Sequence, residues 1–242
     1  MRTLNFARRN IKELVRDPLS TIFSLVLPLF LLFIFNQIKI PSPAYALDNF
    51  TPGIIIFSFS FVSMFTAILI AKDRSTSFLT RLAVSPMRPH EYVLGYVLAL
   101  LPLVCLQIAT VLVFALVLGL KFTWGVLVAL PVGVAISFFF IALGITFGSI
   151  TNEKASAGVS SIVVQLVSFT SGMYFDRSLV GEGFALVCEF LPFESALTIL
   201  KAALNLDFAI IEVRNVIVFC VYSVAFFVLA VVLFNKNNGK GK

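Results

Sequence analysis

Charge is scarce in this sequence. Asp, Glu, Lys and Arg make up 12% of 242 residues, about half the share found in a soluble domain. Hydrophobic residues make up 60%, and the mean hydropathy is +1.04. A soluble chain of this length has too little interior to hide that much apolar surface. The composition therefore excludes a soluble enzyme, a disordered chain and a nucleic-acid reader, and leaves an integral membrane protein. Metal-binding and redox residues are also few. There is one His, His90, and the three Cys (Cys105, Cys188 and Cys220) have neither metal spacing nor a disulfide framework. No Walker A run is present, so no cradle for nucleotide phosphates is expected in this chain.

Six stretches are long enough to cross an apolar core, which takes about 20 helical residues. They are Leu19–Ile38, Pro52–Ala71, Tyr92–Gly119, Val126–Ile150, Ala155–Phe175 and Asn215–Phe234. Their continuous apolar runs lack the period-2 alternation of a barrel. The expected fold is all-α, with six transmembrane helices in one domain over residues 1–242. Ala44–Tyr45–Ala46 resembles a signal-peptide cleavage site. The apolar run before it is too long for a signal peptide, so the first span is read as an anchor.

Positive charge orients the bundle. Thirteen Lys and Arg lie in the N-terminal segment, the loop after the second span, the loop after the fourth, and the C-terminal tail. Five lie on the opposite side. With acidic residues included, one side carries +8 (13 basic, 5 acidic) and the other −2 (5 basic, 7 acidic). The positive-inside rule places both termini in the cytoplasm. The outer segment 176–213 is apolar but holds Glu189, Glu194 and Lys201. Each charge at mid-membrane costs roughly 2.5–3.5 kcal/mol. Two short helices, Gly183–Leu191 and Glu194–Leu206, joined at Pro192 as a re-entrant pair, fit better than a seventh span.

None of the six spans holds Asp, Glu, Lys, Arg or His. Ion-coupled carriers need a group that binds and releases the ion, so energy is expected to come from another subunit. What the spans do hold is uncharged polarity. Ser161, Gln165 and Ser168 share one face of the fifth span, and Ser60 and Ser63 share one face of the second. These five are the candidate translocation path, with helix–helix glue as the alternative reading. Gln107 stands alone and reads as glue. Gly144 and Gly148 allow close backbone approach on the fourth span.

Two cytoplasmic segments complete the pattern. Residues 2–16 form a basic amphipathic helix, with Leu4, Ala7, Ile11, Leu14 and Val15 on one side and Arg2, Arg9 and Arg16 on another. Such a helix suits the membrane interface. The loop 72–91 can form a short helix over Thr76–Val84, with Phe78, Leu79 and Leu82 on one side and Arg residues flanking it. That pattern suits docking into a soluble partner's groove.

At this loop the sequence resembles a known family. Asp73–Arg74, Arg81, Ser85–Pro86–Met87 and Gly95 are similar to the coupling loop of type-2 permeases of ATP-binding-cassette (ABC) exporters. Arg16–Asp17–Pro18 resembles the family's entry into the first span, and Phe190–Leu191–Pro192–Phe193 its re-entrant pair. The sequence departs from the family at Ser77, usually Gly, and at Thr80, usually acidic.

The resemblance implies a non-catalytic permease subunit in the bacterial plasma (inner) membrane, paired with a second permease copy as a homodimer. A separate ABC ATPase would bind ATP and Mg²⁺, and no cofactor is expected in this chain. Arg74, Phe78, Leu79, Arg81, Leu82, Pro86, Met87 and Arg88 would couple to that ATPase. The uncharged stripe points to a hydrophobic or amphipathic solute. An ATPase-independent carrier or channel, and a membrane immunity factor or scaffold, are the alternatives.

Overall fold

A computed structural model describes residues 2–16, 18–38, 43–76, 89–174 and 181–238. Among the described residues the regular structure is helical throughout, with no strand. The helices are α1 (Arg2–Val15), α2 (Pro18–Gln37), α3 (Leu47–Ser75), α4 (Pro89–Leu118), α5 (Trp124–Ile150), α6 (Glu153–Thr170), α7 (Glu182–Phe190), α8 (Pro192–Asn205) and α9 (Val213–Asn238). Four of them, α3, α4, α5 and α9, are long and apolar enough to cross a membrane on their own. The α7–α8 pair passes the same test jointly, but its axis bends by 75°. The chain is thus an all-helical integral membrane protein with four or five such elements.

Proline accounts for the α7–α8 break. Pro192 has no N–H to donate and its fixed φ suits the first turn of a helix. It therefore opens α8, while Leu191 before it is extended (φ −85°, ψ 145°). Arg214 Nη1 pairs with Glu189 Oε2 at 2.7 Å and ties α7 to the start of α9. The expected helix over Thr76–Val84 lies outside the described residues beyond Thr76.

α3 is the central helix. Within its apolar window 89% of residues are buried, against 6% for α9. α3 is therefore walled in by protein, and α9 presents its apolar surface outward, as a lipid-facing helix does. α3 and α5 approach each other closely. A Cβ on Gly148 would sit 2.6 Å from the Ala67 carbonyl oxygen. One on Gly144 would strike the Ser63 carbonyl. The small-residue face of α5 thus packs within its own chain. On the other side of α5, Phe139 meets the rings of Phe140, Phe193, Phe219 and Phe226. Part of the chain's heavy Phe content is thereby spent on locking α5, α8 and α9 together.

Gln107 is buried on α4, and neither end of its amide has a partner among the described residues. The interhelical hydrogen bond expected of it is not made. A buried unsatisfied polar group costs about 1–3 kcal/mol. Gln107→Leu should therefore raise thermal stability in detergent by a comparable amount, and an unchanged or lower midpoint would show that the amide finds a partner.

Candidate functional site

Two residues of the sequence motif, Asp73 and Arg74, fasten α3 to α1, α4 and α5. Asp73 and Arg74 occupy the last turn of α3. A helix end carries a line of unpaired carbonyls and needs partners there. Asp73 points one way and Arg74 the other.

Asp73 is only 1% exposed. Arg9 Nη1 on α1 donates to its two carboxylate oxygens at 2.7 and 2.9 Å. The hydroxyl of Tyr96 on α4, itself fully buried, donates to Oδ2 at 2.8 Å. A buried carboxylate needs this kind of pairing, because its desolvation is otherwise uncompensated. α1 is placed for it by Phe6. The Phe6 ring packs edge-on against Tyr92 (5.6 Å) and Tyr96 (5.0 Å). It lies directly over Gly95, where a Cβ would strike Cδ1 of the ring. The Gly95 of the sequence motif is thus the seat of α1.

A second ion pair runs alongside. Lys72 Nζ donates to Glu13 Oε1 at 2.8 Å. That hydrogen bond holds the Glu13 carboxyl below its usual range.

Arg74 turns toward the end of α5. Its Nη1 donates to the carbonyls of Gly148 (3.1 Å), Ser149 (2.6 Å) and Thr151 (3.1 Å). A cation on the terminal carbonyls of a helix satisfies them and opposes the negative end of its dipole. Gly148 also admits the α3 backbone, so the same turn is close-packed and capped. Beyond it, Ser75 Oγ donates to Glu153 Oε2 at 3.1 Å. Asn152 caps α6, its side chain accepting from the Ala155 N–H at 2.8 Å. The end of α3 therefore holds α1, α4, α5 and the start of α6 at one point, one residue before the undescribed segment begins. Phe78, Leu79, Arg81, Leu82, Pro86, Met87 and Arg88 all lie outside the described residues.

Three of the five stripe residues come together. Ser161, Gln165 and Ser168 line a cavity of about 290 Å³ between α2, α3 and α6, faced by Phe57, Phe61 and Met64. Ser161 and Gln165 also border a second cavity of about 520 Å³ on the free side of α6, with Leu166, Phe169 and Phe184. Ser60 and Ser63 do not line either cavity and are buried within the bundle. Ser60 Oγ donates to the Phe57 carbonyl of its own helix at 2.6 Å, and Ser168 Oγ to Val164 at 2.8 Å. Neither of these bonds ties one helix to another. A larger cavity of about 620 Å³ lies at the opposite end of α3 from the joint, around Tyr45, Asp48 and Lys121.

Arg9, Tyr96 and Phe6 escape a reading of the sequence. Arg9 and Asp73 are far apart along the chain, and an arginine on an amphipathic helix reads as solvated. Gly95 was the available signal: a glycine between two tyrosines on a helix marks a place where another element sits.

Among the described residues no cluster of His, Cys, Asp and Glu could hold a metal ion. A family model described as ABC-2 type transporter matches residues 3–205, from α1 to the end of α8, and so includes the whole joint. No curated protein matches the chain at a significant level. The chain therefore belongs to the ABC-2 type transporter family, as a membrane-embedded permease component that works with an ABC ATPase.

Proposed function

We propose that this permease exports a hydrophobic or amphipathic solute, driven by ATP hydrolysis on a separate ATPase subunit. The observation that carries this reading is the four-helix joint at the root of the coupling loop. A push on the loop after Thr76 reaches α1 and α4 through Asp73, and α5 and α6 through Arg74 and Ser75. The ATPase would supply that push, with ATP and Mg²⁺ bound there, as the pattern at Phe78–Met87 anticipates.

In this reading α2 and α6 cross the membrane with the other four spans, giving six. Both termini face the cytoplasm of a bacterial plasma membrane, as the basic residues favour. The α7–α8 pair dips into the outer leaflet. Two copies meet along the free face of α6, so that Ser161 and Gln165 line the path between them, with Ser168 in the cavity that opens from it toward α2 and α3. Ser60 and Ser63 lie behind that wall and would reach it only when α3 and α6 part. The chain itself catalyses nothing.

Co-purification with the ATPase tests the reading. The assembled transporter should show an ATPase rate that depends on solute and falls severalfold on substitution across Phe78–Met87. If no ATPase co-purifies, or the chain alone moves solute down a gradient, the ATPase-coupled mechanism is wrong. Gln165→Leu should change which solutes are exported while the protein folds normally. Gly158 meets nothing within 4 Å, so Gly158→Leu should leave the fold intact but separate the two copies, as read by native mass spectrometry. A persisting dimer would remove α6 from the interface.

A further inference from the structure

α1 has three distinct sides. The first is buried: Phe6, Ala7 and Asn10 pack against the bundle. At 3.6 residues per turn, Ile11, Leu4 and Val15 fall within an arc of about 40°, with Ile11 half-buried at its inner edge. Leu4 is 67% exposed and Val15 71%. Next to this apolar edge runs a cationic row. Arg8, Lys12 and Arg16 recur every four residues and all are exposed. None of the three forms an ion pair with a described residue. The helix has a single acid, Glu13, and it lies at the other margin, engaged by Lys72 and Arg9. Among the described residues the row is therefore left without an ion-pair partner, beside a strip of exposed hydrocarbon.

We infer that this face of α1 is a binding site for anionic phospholipid headgroups. The apolar edge enters the acyl region, and the three cations stand at the level of the lipid phosphates. An aqueous protein surface would match the cations but leave Leu4, Ile11 and Val15 uncovered, whereas a charged lipid surface covers both at once. The site also bears on the joint, because the next residue along from Arg8 is Arg9, which holds Asp73. Anionic lipid would steady α1 on α4 where the coupling loop begins. The inference rests on α1 lying at the bilayer surface, and the experiment separates the two claims.

The full chain, without ATPase, is reconstituted carrying Leu4→Trp in a Trp124→Phe background, so that the only Trp reports from the apolar edge. Quenching is then compared between vesicles with bromine-labelled acyl chains on phosphatidylglycerol and on phosphatidylcholine. The anionic lipid should be preferred at α1 by roughly five-fold or more. The preference should collapse in Arg8→Gln/Lys12→Gln/Arg16→Gln, should weaken with added salt, and should survive Lys236→Gln, a control at the far end of the chain. The salt dependence needs no variant of the row and so holds even if the triple variant folds poorly. Equal quenching by the two lipids overturns the headgroup site while leaving α1 on the bilayer. Quenching by neither lipid overturns the placement of α1 and the site with it. Equal quenching combined with loss of ATPase binding in the triple variant would assign the row to the protein partner instead.

Discussion

Asp73→Ala is expected to destabilise the permease by about 3 kcal/mol, because it takes the acceptor from a buried hydroxyl and breaks a largely buried ion pair. Arg9 would lose both oxygens of its carboxylate partner, and the Tyr96 hydroxyl, at 0% exposure, would have nothing to donate to. Arg9 is one-third exposed and can turn toward water, so most of the loss falls on Tyr96 and on the seating of α1. The measurement is thermal unfolding in detergent, combined with hydrogen exchange over residues 2–16. Exchange there should accelerate while α5 and α9 stay protected. A double-mutant cycle with Arg9→Gln and Asp73→Asn isolates the pair, and a coupling energy near zero would show that the contact contributes nothing. In the assembled transporter the same substitution should reduce solute-stimulated ATPase activity more than basal activity. The ATPase would still dock, but its motion would no longer reach α1 and α4.

Gly148→Leu is the second large effect. The atoms that a side chain would meet are the Ala67 carbonyl oxygen at 2.6 Å and the Ala67 Cα at 2.9 Å. Backbone cannot rotate away as a side chain can, so α3 and α5 would have to separate. Overpacking of this kind costs up to about 3 kcal/mol. Here it would also draw the Gly148 carbonyl from Arg74. The variant should therefore lose both stability and the α5 cap, whereas Arg74→Ala should lose the cap with a stability change nearer 1 kcal/mol. Comparing the unfolding midpoints of the two variants separates packing from capping. Equal midpoints would mean that α3 and α5 are not in close contact.

Some of this architecture was legible in the sequence for simple physical reasons. Pro192 suits the first turn of a helix, and the charges around it exclude a straight span, so α7 and α8 could be placed nearly to the residue. The glycine spacing on α5 announced a close approach, though not its partner. α1 shows where legibility fails. Its periodicity is plain, but apolar surface is welcome against protein and against lipid alike. Leu4, Ala7 and Val15 read as one side suited to the membrane interface, whereas the structure buries Ala7 with Phe6 against the bundle and leaves Leu4 and Val15 open. In water, burial would have settled the question; in a membrane the hydrophobic signal has two possible meanings. The joint was half visible. Asp73–Arg74 stood out as a pair, but their partners come from three other segments, and nothing local in a sequence encodes a contact across such distances. The serine stripe divides for a related reason. Spacing tells which hydroxyls share a face but not which face borders a cavity, so Ser161 and Gln165 reach open space while Ser60 does not.

The way the buried hydroxyls are satisfied has a consequence for biosynthesis. Ser58, Ser60 and Thr66 on α3 each donate to a carbonyl of their own helix, at Ile54, Phe57 and Val62. Their needs are therefore met before any neighbour arrives. α3 leaves the ribosome well ahead of α5, the helix it packs against most closely, because the whole of α4 lies between them. A helix whose polar groups depended on α5 would wait in the lipid with unpaired donors and be a target for quality control. These three hydroxyls of α3 can instead enter the bilayer already paired and wait for α5. The central helix of the bundle is thus equipped to be an early and durable intermediate of assembly.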